Sequence, residues 1–430
     1  MELLKLCLNQ LKDKGAQKAE VNVSKEIKEE MNINSGEVSL LRSLEEYNIE
    51  MTAFIDQKKD VIKLNKIDEL SIEQAAMEVT QNAKNSEPDP ANDIPNGELK
   101  KEFKDSETQL DVEMMHRRLK EFIKDVNEQY DRLVIEEAIL EHNKIKSYYQ
   151  NTGGVELYSE DSQYNFTVMF FAKENKKTSS FNYTVQTTKD LDRAILQLGA
   201  LSNLLEQSID HLEPKAIEQK KFTGDVIITP DCMSAMTYFL LSHLSNQYMI
   251  SGISKFKGKI GEKLLDEKLT IKTEPDSRKL ALKDYFGKDG FVNRNDYLFQ
   301  AGVLKNYLLN YYGALKTGFE RGPSTSVYSG IVIEPGDKSF DEMVKSMDQG
   351  IILARFSGGQ PAPNGDFSGI AKNSYYVKDG KIQYPIKETM ISGNLFDMLK
   401  DIKAISKERL NNGQTLMPYI QLRNAVISSK

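Results

Sequence analysis

Three features of the sequence predict an α+β fold. Apolar residues alternate in several extended runs. A few amphipathic, well-punctuated helices stand between those runs. After Gly252 the texture changes to short extended pieces separated by glycines. A chain of 430 residues has room for two or three domains at roughly 150 residues each. The charged segment 211–222 reads as the connection. The expected division is an N-terminal α/β-sheet domain, 1–215, and a mainly antiparallel β domain with a few helices, 216–430.

Residues 3–14 predict a helix, because Leu4, Cys7, Leu8 and Leu11 recur on one face and Gly15 can stop it. Strands are expected next. Ala19, Val21 and Val23 alternate with polar residues, as do Ile27, Met31 and Ile33 around Glu29. Ser35-Gly36 reads as a turn, and Tyr47, Ile49, Met51, Ala53 and Ile55 keep a period of two. Ser71-Ile-Glu-Gln74 reads as a capping box opening a helix with Ile72, Ala75, Ala76, Val79 and Ala83 on one face. The proline-rich stretch 85–98 reads as an exposed loop or linker. A charged helix around 108–128 carries Met115, Leu119, Phe122 and Val126 as its buried stripe. Strands resume between 132 and 186: Tyr164, Phe166, Val168 and Phe170 alternate, then Phe181, Tyr183 and Val185. A helix is expected near 189–209 from Leu191, Ala194, Leu198, Leu201 and Leu205.

The second half opens with a short strand, Asp225–Ile228. Thr229-Pro230-Asp231 then starts a helix, with a hydroxyl at the N-cap, proline at the first helical position and an acid in the first turn. That helix is expected to run to about 249. Further helices are expected near 339–348 and 394–403, within an otherwise extended pattern.

Composition bounds the function. Apolar residues at 39% and charged residues at 28% are the balance of a chain with real cores. A net charge of −7 disfavours direct nucleic-acid binding, which needs a basic footprint. Cys7 and Cys232 stand too far apart in sequence for a disulfide framework. The N-terminus lacks the pattern of a secretory signal. No apolar run approaches the roughly 20 residues of a membrane helix. A cytoplasmic protein is expected, with no membrane partner.

Searches for chemistry return little. The histidines His116, His142, His211 and His243 are isolated, and neither HExxH nor HExxxH is present. A hydrolytic zinc site takes two or three His with a carboxylate or Cys, so no metal is expected in this chain. His243 shares a helix face with Met236, Phe239 and Leu240. A buried imidazole bonded to a backbone group is the preferred reading over a ligand or acid/base role. Phosphate-binding loops and a GxSxG elbow are absent. Ser254-Lys-Phe-Lys257, Lys316-Thr317-Gly318 and Ser392-Gly393-Asn394 imitate the SxxK, KTG and SxN elements of penicillin-recognising enzymes. Their order is wrong, and the first sits in a glycine-flanked, lysine-rich stretch rather than opening a buried helix.

The second half nevertheless carries an ordered set of short motifs. These are Gly252-Ile-Ser-Lys-Phe-Lys-Gly258-Lys-Ile-Gly261-Glu-Lys, Asp284-Tyr-Phe-Gly-Lys-Asp289-Gly290, Phe299-Gln-Ala-Gly302-Val-Leu-Lys, Asn364-Gly365-Asp366-Phe367-Ser368-Gly369 and Pro385-Ile-Lys-Glu-Thr-Met-Ile-Ser-Gly393-Asn394-Leu. In this order they resemble the TldD/PmbA family. Ala19–Val23, Gly36-Glu37-Val38 and Ser71-Ile in the first half also fit.

The resemblance implies more than a fold. TldD-type chains of the family look like zinc peptidases with HExxxH on the helix before the Gly252-like segment; TldE/PmbA-type chains lack it. Here the matching positions, Thr237 to Ser242, hold no imidazole pair and no glutamate. The expected role is therefore the non-catalytic subunit of a TldD/TldE-type complex that processes peptides. Zinc is expected in a TldD-like partner, and an unfolded peptide is the expected substrate. A homodimer is expected to be accessible to the chain alone. Gly365, Asp366, Phe367, Ser368, Gly393 and Asn394 are the candidate cavity or interface loops, against a purely structural role as tight turns. Two other readings compete. One is a gyrase-modulator-like interaction protein with no proteolytic role. The other is an independent hydrolase using a scattered metal site or Ser254 with Lys257.

Overall fold

The computed structural model describes residues 2–34, 37–105 and 108–429; the expected turn at Ser35-Gly36 lies outside them. The architecture is α+β, as the alternation predicts.

The first half is built from α1 (Glu2–Asp13), β1 (Lys18–Asn34), β2 (Glu37–Ile55), β3 (Lys58–Leu64), α2 (Glu69–Asn85), β4 (Leu99–Asp105), α3 (Val112–Gln129), β5 (Leu133–Asn151), β6 (Val155–Glu174), β7 (Lys177–Thr178), β8 (Asn182–Thr188) and α4 (Leu201–Asp210). The sheet runs β3-β2-β1-β5-β6-β4, with β7 and β8 also paired to β6. Its pairs are antiparallel except β4 with β6. One face carries α1 and α2 over Val21, Val23, Ile49 and Met51, and α3 and α4 over Leu140, Phe166 and Val168. Each helix buries the residues its periodicity selects: Leu4, Cys7, Leu8 and Leu11 in α1, and Met115, Leu119, Phe122 and Val126 in α3.

Four local expectations change. Asp68, not Ser71, caps α2, accepting the Ser71 N–H at 2.9 Å, because a carboxylate one turn earlier takes the exposed donor. The 85–98 stretch is no linker: Ala91 and Ile94 are buried, and the Asp89 carboxylate reaches the second half at Tyr312 and Lys316. The helix expected near 189–209 is only a 3₁₀ turn at Ile195–Gln197 followed by α4. Arg118 draws off the Leu191 and Asp192 carbonyls, and Gly199 turns the chain at φ 52°. In β8 the expected alternation is present with its polar face inward. Asn182, Thr184 and Gln186 are buried, and Phe181, Tyr183 and Val185 are exposed. The Arg355 guanidinium lies over the Phe181 and Tyr183 rings.

The second half contains β9 (Lys221–Ile228), α5 (Pro230–Ser242), α6 (Asn246–Ser251), β10 (Ile271–Thr273), β11 (Asp296–Gln300), β12 (Val303–Leu304), α7 (Tyr311–Thr317), β13 (Ile331–Ile333), α8 (Phe340–Lys345), β14 (Gln349–Leu353), β15 (Arg355–Ser357), β16 (Asp366–Lys372), β17 (Tyr375–Lys378), β18 (Lys381–Pro385), β19 (Thr389–Asn394), α9 (Leu395–Met398), β20 (Ile402–Asn411) and β21 (Thr415–Ser428). Its sheet runs β12-β11-β10-β13-β21-β9-β14-β17-β18, with β15, β16, β19 and β20 joined off that path. It is mainly antiparallel; β9 with β14 and β13 with β21 are parallel. β9 lies inside, and Val226, Ile227 and Ile228 are all buried, as a strand covered on both faces requires. The helix expected at 394–403 is the single turn α9. From Ile402 the chain joins β21 as β20, and Ile402 and Ile405 enter the core with it.

The two sheets meet along a mixed seam, in which Phe286 and Val292 pack with Leu99, Tyr149 and Leu157 and polar groups bond beside them. Lys288 bonds Glu50, and its carbonyl accepts from Asn22. The Asp284–Gly290 motif works here as a structural turn. Asp289 accepts the Tyr311 N–H at 2.8 Å and pairs with Arg321, both side chains being about nine-tenths buried. A Cβ at Gly290 (φ 77°) would stand 2.5 Å from the Tyr149 ring. Among the described residues no helix is long and apolar enough to cross a membrane.

Candidate functional site

The site is organised around α5. Pro230 occupies its first turn, but Thr229 does not cap it with its side chain; that hydroxyl turns toward the Ala354 carbonyl instead. Cys232, Met233, Met236, Phe239, Leu240 and Leu241 are buried. α5 ends at Ser242 rather than near 249. The Ser242 hydroxyl bonds the Tyr238 carbonyl and the Ser245 hydroxyl bonds Ser242's. The His243, Leu244 and Ser245 N–H groups bond three residues back. These tightened bonds satisfy the helix end, and α6 starts afresh at Asn246.

His243 sits at that break, fully buried. The rings of Phe239, Tyr248, Phe256 and Phe396 surround it at 4.6–5.9 Å. Its Nδ1 accepts the Lys255 N–H at 3.1 Å. Burial pushes its pKa down to about 4, with the Lys255 charge adding to the effect, so the ring is neutral at pH 7. Accepting at Nδ1 leaves the proton on Nε2, which has no hydrogen-bond partner among the described residues. Among the described residues no carboxylate bonds the ring to make it an acid/base pair. The geometry agrees with the structural reading of this residue.

Beyond α6, Gly252 takes a left-handed conformation, φ 76°, and the chain returns over His243. Ser254 donates to the His243 carbonyl at 2.5 Å and accepts the Phe256 N–H at 3.1 Å. Its hydroxyl is engaged with backbone, and Lys316 reaches Asp89 of the first half. The SxxK-like and KTG-like fragments therefore build no nucleophile. The buried Tyr307 pins the following turn. Its hydroxyl donates to the Phe256 carbonyl at 2.8 Å and accepts the Lys259 N–H at 3.2 Å.

Three segments read as motifs in the sequence converge here. β16 and β19 pair with Asp366 opposite Asn394 and Phe367 opposite Gly393. The Asp366 carboxylate accepts from Asn364 at 2.6 Å and Asn394 at 2.8 Å. Those two amides, Asn394 foremost, hold its carboxyl below the usual range. Asn394 also bonds the Asn364 carbonyl and caps α9 at the Asp397 N–H.

Gly365 (φ 96°) is required sterically, since a Cβ would lie 2.5 Å from the Phe396 ring. A Cβ on Gly393 would lie 2.8 Å from the Met398 sulfur. Phe367 belongs to the core, edge-on to Phe356. Ser368 and Asp366 are exposed. Beside this network opens a cleft of about 530 Å³, lined by Lys255, Phe256, Lys259 and Lys263 on one side and by Asn364, Asn394, Phe396 and Lys400 on the other. Of the six predicted residues, Asn394 lines the cleft, and Asp366 holds the two asparagines at its rim. The lysines were not among the predicted site residues. Three of them had a signal in the lysine-rich run from Lys255 to Lys263; Lys400 had none.

With this geometry in place, the comparisons with known proteins are specific. Residues 221–429 match the PmbA/TldA metallopeptidase C-terminal domain. By this domain the second half of the chain belongs to the TldD/PmbA family. It is 27% identical over 293 residues to a metalloprotease PmbA homolog from Buchnera aphidicola, a match covering 65% of this chain and 63% of that protein. It is 26% identical over 322 residues to a zinc metalloprotease TldD homolog from Saccharolobus solfataricus, covering 66% and 71%. The match thus spans less than two thirds of the Buchnera relative. The crystal structure of TldE from Thermococcus kodakarensis superposes with a TM-score of 0.84 at 17% identity, covering 99% of this chain and all of that one; at this identity the likeness is one of fold.

A metallopeptidase family implies zinc, which needs imidazole, thiolate or carboxylate ligands. The α5 segment Thr237–Ser242 does not fit it. Thr237, Phe239, Leu240 and Leu241 are packed in the core. Tyr238 stacks on Tyr328 at 4.3 Å, and Ser242 is bonded to backbone. Among the described residues no group of three or more His, Cys, Asp or Glu could hold a metal ion.

Proposed function

We propose that this chain is the non-catalytic, TldE/PmbA-type subunit of a TldD/TldE-type peptidase complex that processes peptides in the cytoplasm. One observation carries the reading: the fold spans the whole chain, yet the helix that precedes the Gly252 segment is packed with threonine, tyrosine, aliphatic residues and serine where a catalytic chain would carry its ligands. A cleft lies between the Gly252 segment and the α9 corner. In this reading a TldD-like partner binds zinc and hydrolyses the peptide bond. This chain pairs with it and helps enclose the unfolded substrate, with Asp366 and Asn394 shaping the rim. Isolated from that partner, the chain forms a homodimer.

Affinity capture of the tagged chain from its native cells, with mass spectrometry and metal analysis of the eluate, tests this. The expected result is a stoichiometric partner carrying HExxxH and about one zinc per pair. A metal-free homo-oligomer without such a partner would replace the proposal with an interaction protein that has no proteolytic role.

A further inference from the structure

We infer that the cleft between the Gly252–Lys263 segment and the α9 corner binds acidic peptide, an extended chain carrying several Asp or Glu side chains beside an apolar one. The inference rests on the reading that this cleft receives unfolded peptide, and it names the class.

The chain carries a net charge of −7, but the cleft inverts that sign. Lys255, Lys259, Lys263 and Lys400 line it, with Asp397 as the carboxylate among the lining residues. Lys263 and Lys400 pair with Glu267 and Asp397 at 2.9 and 3.1 Å, in exposed contacts. Such pairs are worth about 0–1 kcal/mol, so a ligand carboxylate can replace them. Lys255 and Lys259 make no ion pair among the described residues. They spring from a backbone pinned by Tyr307 and Ser254, so their ammonium groups start from fixed points.

The neighbouring amides are mostly committed elsewhere. Asn394 spends both N–H groups, on Asp366 and on the Asn364 carbonyl, and Asn364 spends one of its two on Asp366. Phe256, Leu265 and Phe396, all nearly buried, form an apolar floor for the ligand's uncharged side chain. The number of lysines decides between carboxylate sources. A single terminal carboxylate accepts from one or two cations; four ammonium groups around one cleft call for several carboxylates, that is, acidic side chains along a peptide.

The test uses the full chain and dye-labelled unstructured peptides of equal length, one rich in Glu and Leu, one in Lys and Leu, one in Ser and Leu, together with a labelled single-stranded oligothymidine. Binding is read by fluorescence anisotropy at low and moderate salt. The acidic peptide should bind at least about ten-fold tighter than the neutral one, and less tightly as salt rises. Lys255→Glu with Lys259→Glu should abolish that preference. Lys255→Gln with Lys259→Gln should reduce it without reversing the charge. Lys378→Glu with Lys381→Glu, on the β17–β18 turn, should leave it intact. All four side chains are exposed, and unchanged circular dichroism checks the fold. Equal binding of the three peptides would overturn the acidic preference while leaving peptide binding standing. Binding of the oligonucleotide as tightly as the acidic peptide would overturn peptide as the ligand class. No binding of any probe would overturn both this inference and the peptide-enclosing role.

Discussion

Replacing His243 with asparagine removes the titrating ring and keeps an oxygen able to accept the Lys255 N–H. In the unfolded chain this histidine protonates near pH 6.5; in the folded chain burial lowers that to about 4. Between these values the unfolded state holds one proton more, so stability falls as pH falls. The contribution is fully present above the unfolded pKa and is lost on the way down to the folded one. From about pH 7.5 to about pH 5 this site alone removes about 2 kcal/mol, and about 3 kcal/mol by pH 4. His142 and His211 are also lowered by burial, but they titrate identically in both proteins, so the difference between the two isolates His243.

At pH 7.5 His243→Asn should be less stable by about 1–3 kcal/mol, because the shorter side chain leaves space among Phe239, Phe256 and Phe396. At pH 5 that gap should close by about 2 kcal/mol. Urea unfolding followed by circular dichroism at the two pH values measures both numbers. Ring-carbon resonances of labelled histidine report the folded pKa directly. Parallel pH dependences, or a folded midpoint near 6.5, would refute the buried neutral ring and reopen a functional role for His243.

Two further substitutions probe the seam and the rim. Arg321→Ala leaves the Asp289 carboxylate buried without its cation and should cost about 3–5 kcal/mol in a denaturant titration; adding Asp289→Asn should recover part of the loss, and a shift below about 1 kcal/mol would contradict the burial of the pair. Asp366→Ala removes an exposed carboxylate that holds Asn364 and Asn394. It should change stability by less than about 1 kcal/mol while lowering peptide processing by the assembled complex. Unchanged complex formation together with unchanged processing would end the loop's functional assignment.

Legibility in this chain follows the range of the interactions. The buried stripes of α1, α2 and α3 were readable residue by residue, because 3.6-residue periodicity records contact with one core. The strands of the first sheet were readable for the same reason at a period of two. Boundaries failed where a distant group intervened. Arg118 captures the carbonyls that a helix from 189 would need. The polar face of β8 turns inward because the 195–205 segment lies over it, with Gln186 against Gly199. The segment 85–98 looked like a linker because its partners, Tyr312 and Lys316, lie in the other half of the chain.

The candidate site divides the same way. Gly365, Asp366, Gly393 and Asn394 stood out as ordered motifs. The absence of an HExxxH motif on the helix before Gly252 was legible outright, since a missing motif needs no coordinates. Sequence by itself therefore determined the α+β class, the helix faces, the family, and the lack of a zinc motif. Only the tertiary structure decided that Asp366 faces Asn394 across two strands, that His243 is sealed behind Phe256 and Phe396, and that four lysines from two distant segments line one cleft. Periodicity is written between neighbours along the chain. A cleft is made by residues that only the packing of β16, β19 and the Gly252 segment brings within reach of one another.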